Sequence, residues 1–182
     1  MRAFVGIAVS EEVRAALTAV QRDFAPCRAK VKWTEPENIH VTLRFLGEID
    51  EAMTGQVKQA MAQAAGEGPF QFTVTGLGSF PPRGRPAVIW AGVSNGAGLI
   101  SKVQGRLEQG LRALGFAEDR PFVPHLTIGR VKSPRGAEEL IPVISRHSGT
   151  EFGVCTGSKM VLFESRLTPR GAVYTVVAEQ TL

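Results

Sequence analysis

His40-Val41-Thr42-Leu43 and His125-Leu126-Thr127-Ile128 stand 85 residues apart in this chain, and two of its three histidines carry a threonine two positions on. Two imidazoles delivered by two similar units are the minimum equipment for acid–base cleavage of a phosphodiester. One takes a proton from water while the other hands a proton to the departing oxygen. The threonine hydroxyls can donate to the non-bridging phosphate oxygens. With 12 threonines in 182 residues, chance would place Thr at +2 of two given histidines about 0.4% of the time. A lone strand histidine is usually structural, but the repetition reverses that expectation.

In a strand, residues i and i+2 share a face. His40 therefore projects with Thr42, and His125 with Thr127, while Val41, Leu43, Leu126 and Ile128 face a core. Convergence of the two strands would bring four polar groups to one pocket. A fixed cation would help to hold phosphate. Strict alternation puts Arg44 on the face of His40, whereas Arg130 falls on the opposite parity from His125 unless Gly129 permits a bulge. His147 lacks the pattern and sits in the polar stretch Ser145-Arg146-His147-Ser148-Gly149, which reads as solvated surface. Arg83 and Arg85 are equally compatible with RNA phosphate contacts and with an ordinary soluble loop. Trp33, Trp90 and Tyr174 read as core or rim rather than as base-stacking platforms.

The elements that must position these residues follow from periodicity and caps. Strands are expected near 2–9, 31–33, 39–46, 70–75, 87–93, 122–131, 151–154, 157–165 and 172–181. Ser10, with Glu11 and Glu12, opens one helix, and Asp50 caps a second. A third runs near 96–113, with Gly115 placed to end it, and a short one lies near 136–146. Long helices separating β-segments in both halves suggest a two-lobed α+β fold spanning 1–182 with one shared cleft.

Composition narrows the chemistry. An apolar fraction of 43% predicts a packed core, and a net charge of +4 suits a local anionic substrate better than a dedicated duplex binder. No apolar run reaches the length of a membrane span. The opening segment reads as a strand rather than a leader, so the cytoplasm is the expected compartment. Cys27 and Cys155 show no metal-ligand spacing and read as reduced, mostly buried thiols. A glycine-rich phosphate loop, paired zinc ligands and a serine-nucleophile elbow are all missing. A mechanism without metal or cofactor is the remaining expectation.

At these residues the chain resembles the 2H phosphoesterase superfamily, and more narrowly the RNA 2′,3′-cyclic phosphodiesterase (2′-5′ RNA ligase) family. The resemblance rests on Arg2–Ile7, on Pro36–Gly47 and Arg85–Gly92, on Arg120–Arg130, and on Phe163–Leu167. It implies a bilobal α+β fold of two antiparallel sheets related by pseudo-two-fold symmetry and flanked by helices, with the active cleft between the lobes. It implies metal-free hydrolysis of RNA ends bearing a 2′,3′-cyclic phosphate to 2′-phosphomonoesters; a monomer without a membrane partner is the separate expectation. In related proteins, reversible 2′-5′ joining of tRNA halves is assigned as well. Carried over by position, His40 and His125 are the catalytic pair. Thr42 and Thr127 are then the phosphate donors and Arg130 a phosphate contact, with Arg44 as a second candidate. Because a 2′-phosphate product requires O3′ to leave, the resemblance makes His125 the base for water and His40 the acid. Joining of tRNA halves, a non-enzymatic RNA-end or nucleotide-binding module, and hydrolysis of small cyclic phosphates such as an ADP-ribose cyclic phosphate remain alternatives at this point.

Overall fold

Buried Ala3–Ile7 and the aliphatic motif residues call for strands covered on the core side, and the computed structural model supplies them. It describes residues 1–118, 120–169 and 171–182. The order is β1 (Arg2–Ala8), α1 (Glu11–Gln21), β2 (Val31–Trp33), β3 (His40–Glu48), α2 (Glu51–Ala64), β4 (Phe70–Phe80), β5 (Val88–Val93) and α3 (Ala97–Ala113). Then come β6 (His125–Val131), α4 (Leu140–Arg146), β7 (Glu151–Gly157), β8 (Lys159–Thr168) and β9 (Gly171–Thr181). Each expected element is present, with the fourth strand extended to Phe80 and β6 beginning at His125 itself.

The strands run in the order β7-β4-β5-β6-β3-β1-β8-β9, with β2 on β6 outside this path. Each of these pairings is antiparallel. Two halves are visible, β7-β4-β5-β6 with β2, and β3-β1-β8-β9. The resemblance implies an antiparallel sheet in each lobe; in the structure the two are joined edge to edge into one curled sheet. The seam is one described Cα pairing, Val41 with Leu126, and both side chains are fully buried. Each half repeats one unit. β1-α1-β3 sets Ala8 against His40, and β5-α3-β6 sets Gly92 against His125.

The helices start where their caps dictate. The Ser10 hydroxyl accepts from the Val13 amide, and Glu11 and Glu12 occupy the first turn. The Asp50 carboxylate accepts from the Met53 amide. α1 buries Val13, Leu17 and Val20, each burial contributing about 1.5–3 kcal/mol. Its packing crosses the seam: α1 lies on β7 and β6, whereas α3 meets β3 and α2. The two motif strands are thus clamped from helices of the opposite half.

Candidate active site

The seam fixes the direction of four side chains. Val41 and Leu126 oppose one another and point into the core, so their neighbours project from the other face. Continuing the same antiparallel register sets Thr42 against His125 and His40 against Thr127. Each strand then carries one extra residue at the fourth motif position. In β3, Gly6 pairs with Thr42 and Val5 with Arg44, leaving Leu43 over. In β6, Trp90 pairs with Thr127 and Ile89 with Gly129, leaving Ile128 over. Both extra side chains are buried.

A bulge shifts the alternation by one, which returns the fifth residue after each histidine to the histidine face. Those residues are Phe45 and Arg130. The reading that permitted Gly129 to turn Arg130 inward matches this register. The parity argument for Arg44 does not, because the Leu43 bulge reverses it. Arg44 is buried, its Nε 3.2 Å from Glu108 Oε2 of α3, and Nη2 donates to the Ala117 carbonyl. Arg44 still borders the cleft, but its guanidinium is engaged with α3 and the segment that follows it.

A hollow of about 810 Å³ opens on this face. Its lining includes Thr42, Arg44, Phe45, Phe80, His125, Thr127 and Arg130. His40 sits behind this wall, with its Nε2 2.9 Å from Thr42 Oγ1. Each imidazole is oriented from the backbone two residues upstream. His125 Nδ1 donates to the Val123 carbonyl at 2.7 Å, and the His40 ring donates to the Asn38 carbonyl. With that ring nitrogen committed, Nε2 of neutral His40 accepts from the Thr42 hydroxyl.

Aromatic rings back both histidines. Phe4 stacks on His40 at 4.7 Å between centroids, and Tyr174 meets its edge at 5.4 Å. Phe80 lies edge-on to His125 at 5.2 Å, with Trp90 behind at 6.3 Å. Gly6 makes room for the first ring, since a Cβ there would stand 3.1 Å from His40 Cδ2 and 2.8 Å from the Val41 carbonyl oxygen. Burial lowers His40 to about 4. The hydrogen bond to Asn38 opposes that shift, and the Arg14 charge adds to it. Burial also raises the Tyr174 phenol, against the pull of Arg130 and Arg2.

The remaining sequence readings divide. His147 is a clamp rather than solvated surface: Nε2 lies 2.8 Å from Asp23 Oδ2 and Nδ1 3.1 Å from Thr150 Oγ1. Arg83 borders a separate hollow of about 400 Å³ beside α4, which is lined by Trp90 but by no histidine, and exposed Arg85 lines neither cavity. Cys27 and Cys155 are free thiols, half-buried and buried. Among the described residues no group of three or more His, Cys, Asp or Glu gathers to hold a metal, and no helix is long and apolar enough to cross a membrane. Sequence reasoning missed Phe45, although its offset from His40 equals that of Arg130 from His125. It also took Tyr174 for general core or rim, and no local signal ties that residue to His40.

Comparison with known proteins agrees with this geometry. The family profile of LigT-like phosphoesterases matches residues 7–90 and 92–174, one motif in each segment. An RNA 2′,3′-cyclic phosphodiesterase of Methanothermobacter thermautotrophicus is 35% identical over 96% of this chain and 95% of its own length. A protein of the same name from Thermotoga maritima is 36% identical over 98% and 94%. The crystal structure of TT0787 of Thermus thermophilus superimposes with a TM-score of 0.82 at 33% identity, covering 100% of this chain and 98% of that one. A duplicated strand–helix–strand unit with its two histidines on one face, and this matched length, make the chain a member of the LigT-like phosphoesterase family of the 2H superfamily.

Proposed function

We propose that this protein hydrolyses RNA 2′,3′-cyclic phosphate ends to 2′-phosphomonoesters by acid–base catalysis between His40 and His125. The observation that carries the reading is the Val41–Leu126 pairing, which sets both His-x-Thr pairs on one face. The names of the M. thermautotrophicus and T. maritima relatives support the substrate class.

In this reading the phosphate lies against the Thr42 and Thr127 hydroxyls, with Arg130 balancing its charge. His125 Nε2 takes a proton from water as the new P–O bond forms. The P–O3′ bond breaks, and His40 gives its proton to O3′. Solvent exchange then resets the two rings. In the free protein the Thr42 hydroxyl donates to His40 Nε2; turning toward a phosphate oxygen frees that nitrogen. The bound anion also favours the protonated ring, so the substrate itself charges a histidine that burial otherwise keeps neutral.

The test is turnover of an oligoribonucleotide ending in a 2′,3′-cyclic phosphate, with EDTA present. His40→Ala and His125→Ala should each lose about 10²–10⁴-fold in kcat/KM. Unaltered turnover in either variant overturns the assignment. The acid role has its own signature: the loss of rate at high pH should lie at higher pH in kcat than in kcat/KM, because substrate raises His40.

A further inference from the structure

Beside the catalytic hollow runs a second groove of about 560 Å³, lined by Arg2, Lys32, Trp33, Arg130, Lys132 and Tyr174 among others. Phe45 and Arg130 line both cavities, so the two adjoin at the residues the bulges turn outward. Phe45 is 55% exposed there. Lys32 and Arg130 are direct cross-strand partners, and Lys132 follows two residues on, just past the end of β6. Like charges set opposite one another in a sheet repel. Among the described residues none of Arg2, Lys32, Arg130 and Lys132 is in an ion pair, and Glu35 is the one carboxylate lining the groove.

Cations from β1, β2 and the end of β6, gathered with aromatic side chains in a groove beside a phosphate site, suit single-stranded nucleic acid. We propose that this groove binds the ribose-phosphate chain on the 5′ side of the reacting end, with a base at the junction stacked on Phe45. The proposal rests on the hydrolytic reading above. It adds where the strand leading to the reacting end lies, and that the groove strengthens action on a strand over a cyclic mononucleotide.

The experiment compares wild type with a Lys32→Gln/Lys132→Gln double variant on adenosine 2′,3′-cyclic phosphate and on a hexaribonucleotide with the same cyclic end. Both lysines are exposed, and unchanged mononucleotide turnover reports an intact catalytic centre. At low salt the hexanucleotide kcat/KM should fall roughly tenfold, with the mononucleotide value within about twofold of wild type. The slope of log kcat/KM against log salt should become shallower by about 1.4 for the hexanucleotide, about 0.7 per lost phosphate contact. An equal fall on both substrates, or an unaffected hexanucleotide, overturns the groove.

Binding of a fluorescein-labelled hexanucleotide ending in a 2′-phosphate, read by anisotropy, tests it separately from turnover. Weaker binding in the double variant supports the groove, and equal binding overturns it. Wild type that binds this strand yet turns over neither cyclic substrate overturns the hydrolytic reading instead.

Discussion

His40 is wrapped by Phe4, Phe163 and Tyr174, and an imidazole so enclosed is easier to keep neutral than to charge. The unfolded chain titrates near 6.5 and the folded one near 4, so over that interval the unfolded state binds more protons. This contribution to stability is complete above pH 6.5, is lost as pH falls toward 4, and levels off below. Full burial would make it about 3 kcal/mol, and the partial exposure of His40 reduces it to about 1–3 kcal/mol. Urea unfolding at pH 7 and pH 4 should show wild type losing that much more than His40→Gln; parallel losses in the two proteins would reject the account. The His-x-Thr pairs were legible from residue types and spacing alone. The enclosure of His40 was not, because its rings arrive from β1, β8 and β9, far away in sequence.

The two bulges decide which cation faces the cleft. The one in β6, at Ile128, was legible only as something Gly129 could permit, and Arg130 was favoured by the resemblance rather than by alternation. Nothing in the residue types of Val41–Phe45 marks its counterpart in β3, so alternation carried on unbroken and picked Arg44. Gly129 also sits against Trp33, where a Cβ would lie 2.8 Å from the indole Cε3 and from Val31 Cγ1. Gly129→Ala must therefore displace the Trp33 and Val31 side chains that β2 lays over it. A stability loss of about 1–3 kcal/mol is expected, with kcat/KM falling as Arg130 loses its aim. Circular-dichroism melting beside steady-state assays checks both, and a variant matching wild type in each would exclude a tight bulge.

Across the whole molecule, a narrow seam is braced by helices that cross from one half to the other. The two-lobed α+β plan was readable from the alternation of strand and helix signals. The fusion of the lobes was not, since one pairing between residues 41 and 126 leaves no local trace. Leu126 is fully buried at that pairing, so Leu126→Ala should cost about 2–5 kcal/mol. Leu17→Ala, in α1, should cost a similar amount with less effect on kcat/KM, both assayed well below their melting temperatures. Equal kinetic effects would mean that the seam does not set the spacing of the histidines. The paired machinery has one more implication. The twofold repeat of imidazoles and hydroxyls is broken, because His40 is enclosed by rings while His125 lines the hollow. The copies differ again five residues after each histidine, where Phe45 is an aromatic ring answered by the cation of Arg130. In the proposed reaction this mismatch would give an incoming strand a direction, and with it set which oxygen is released.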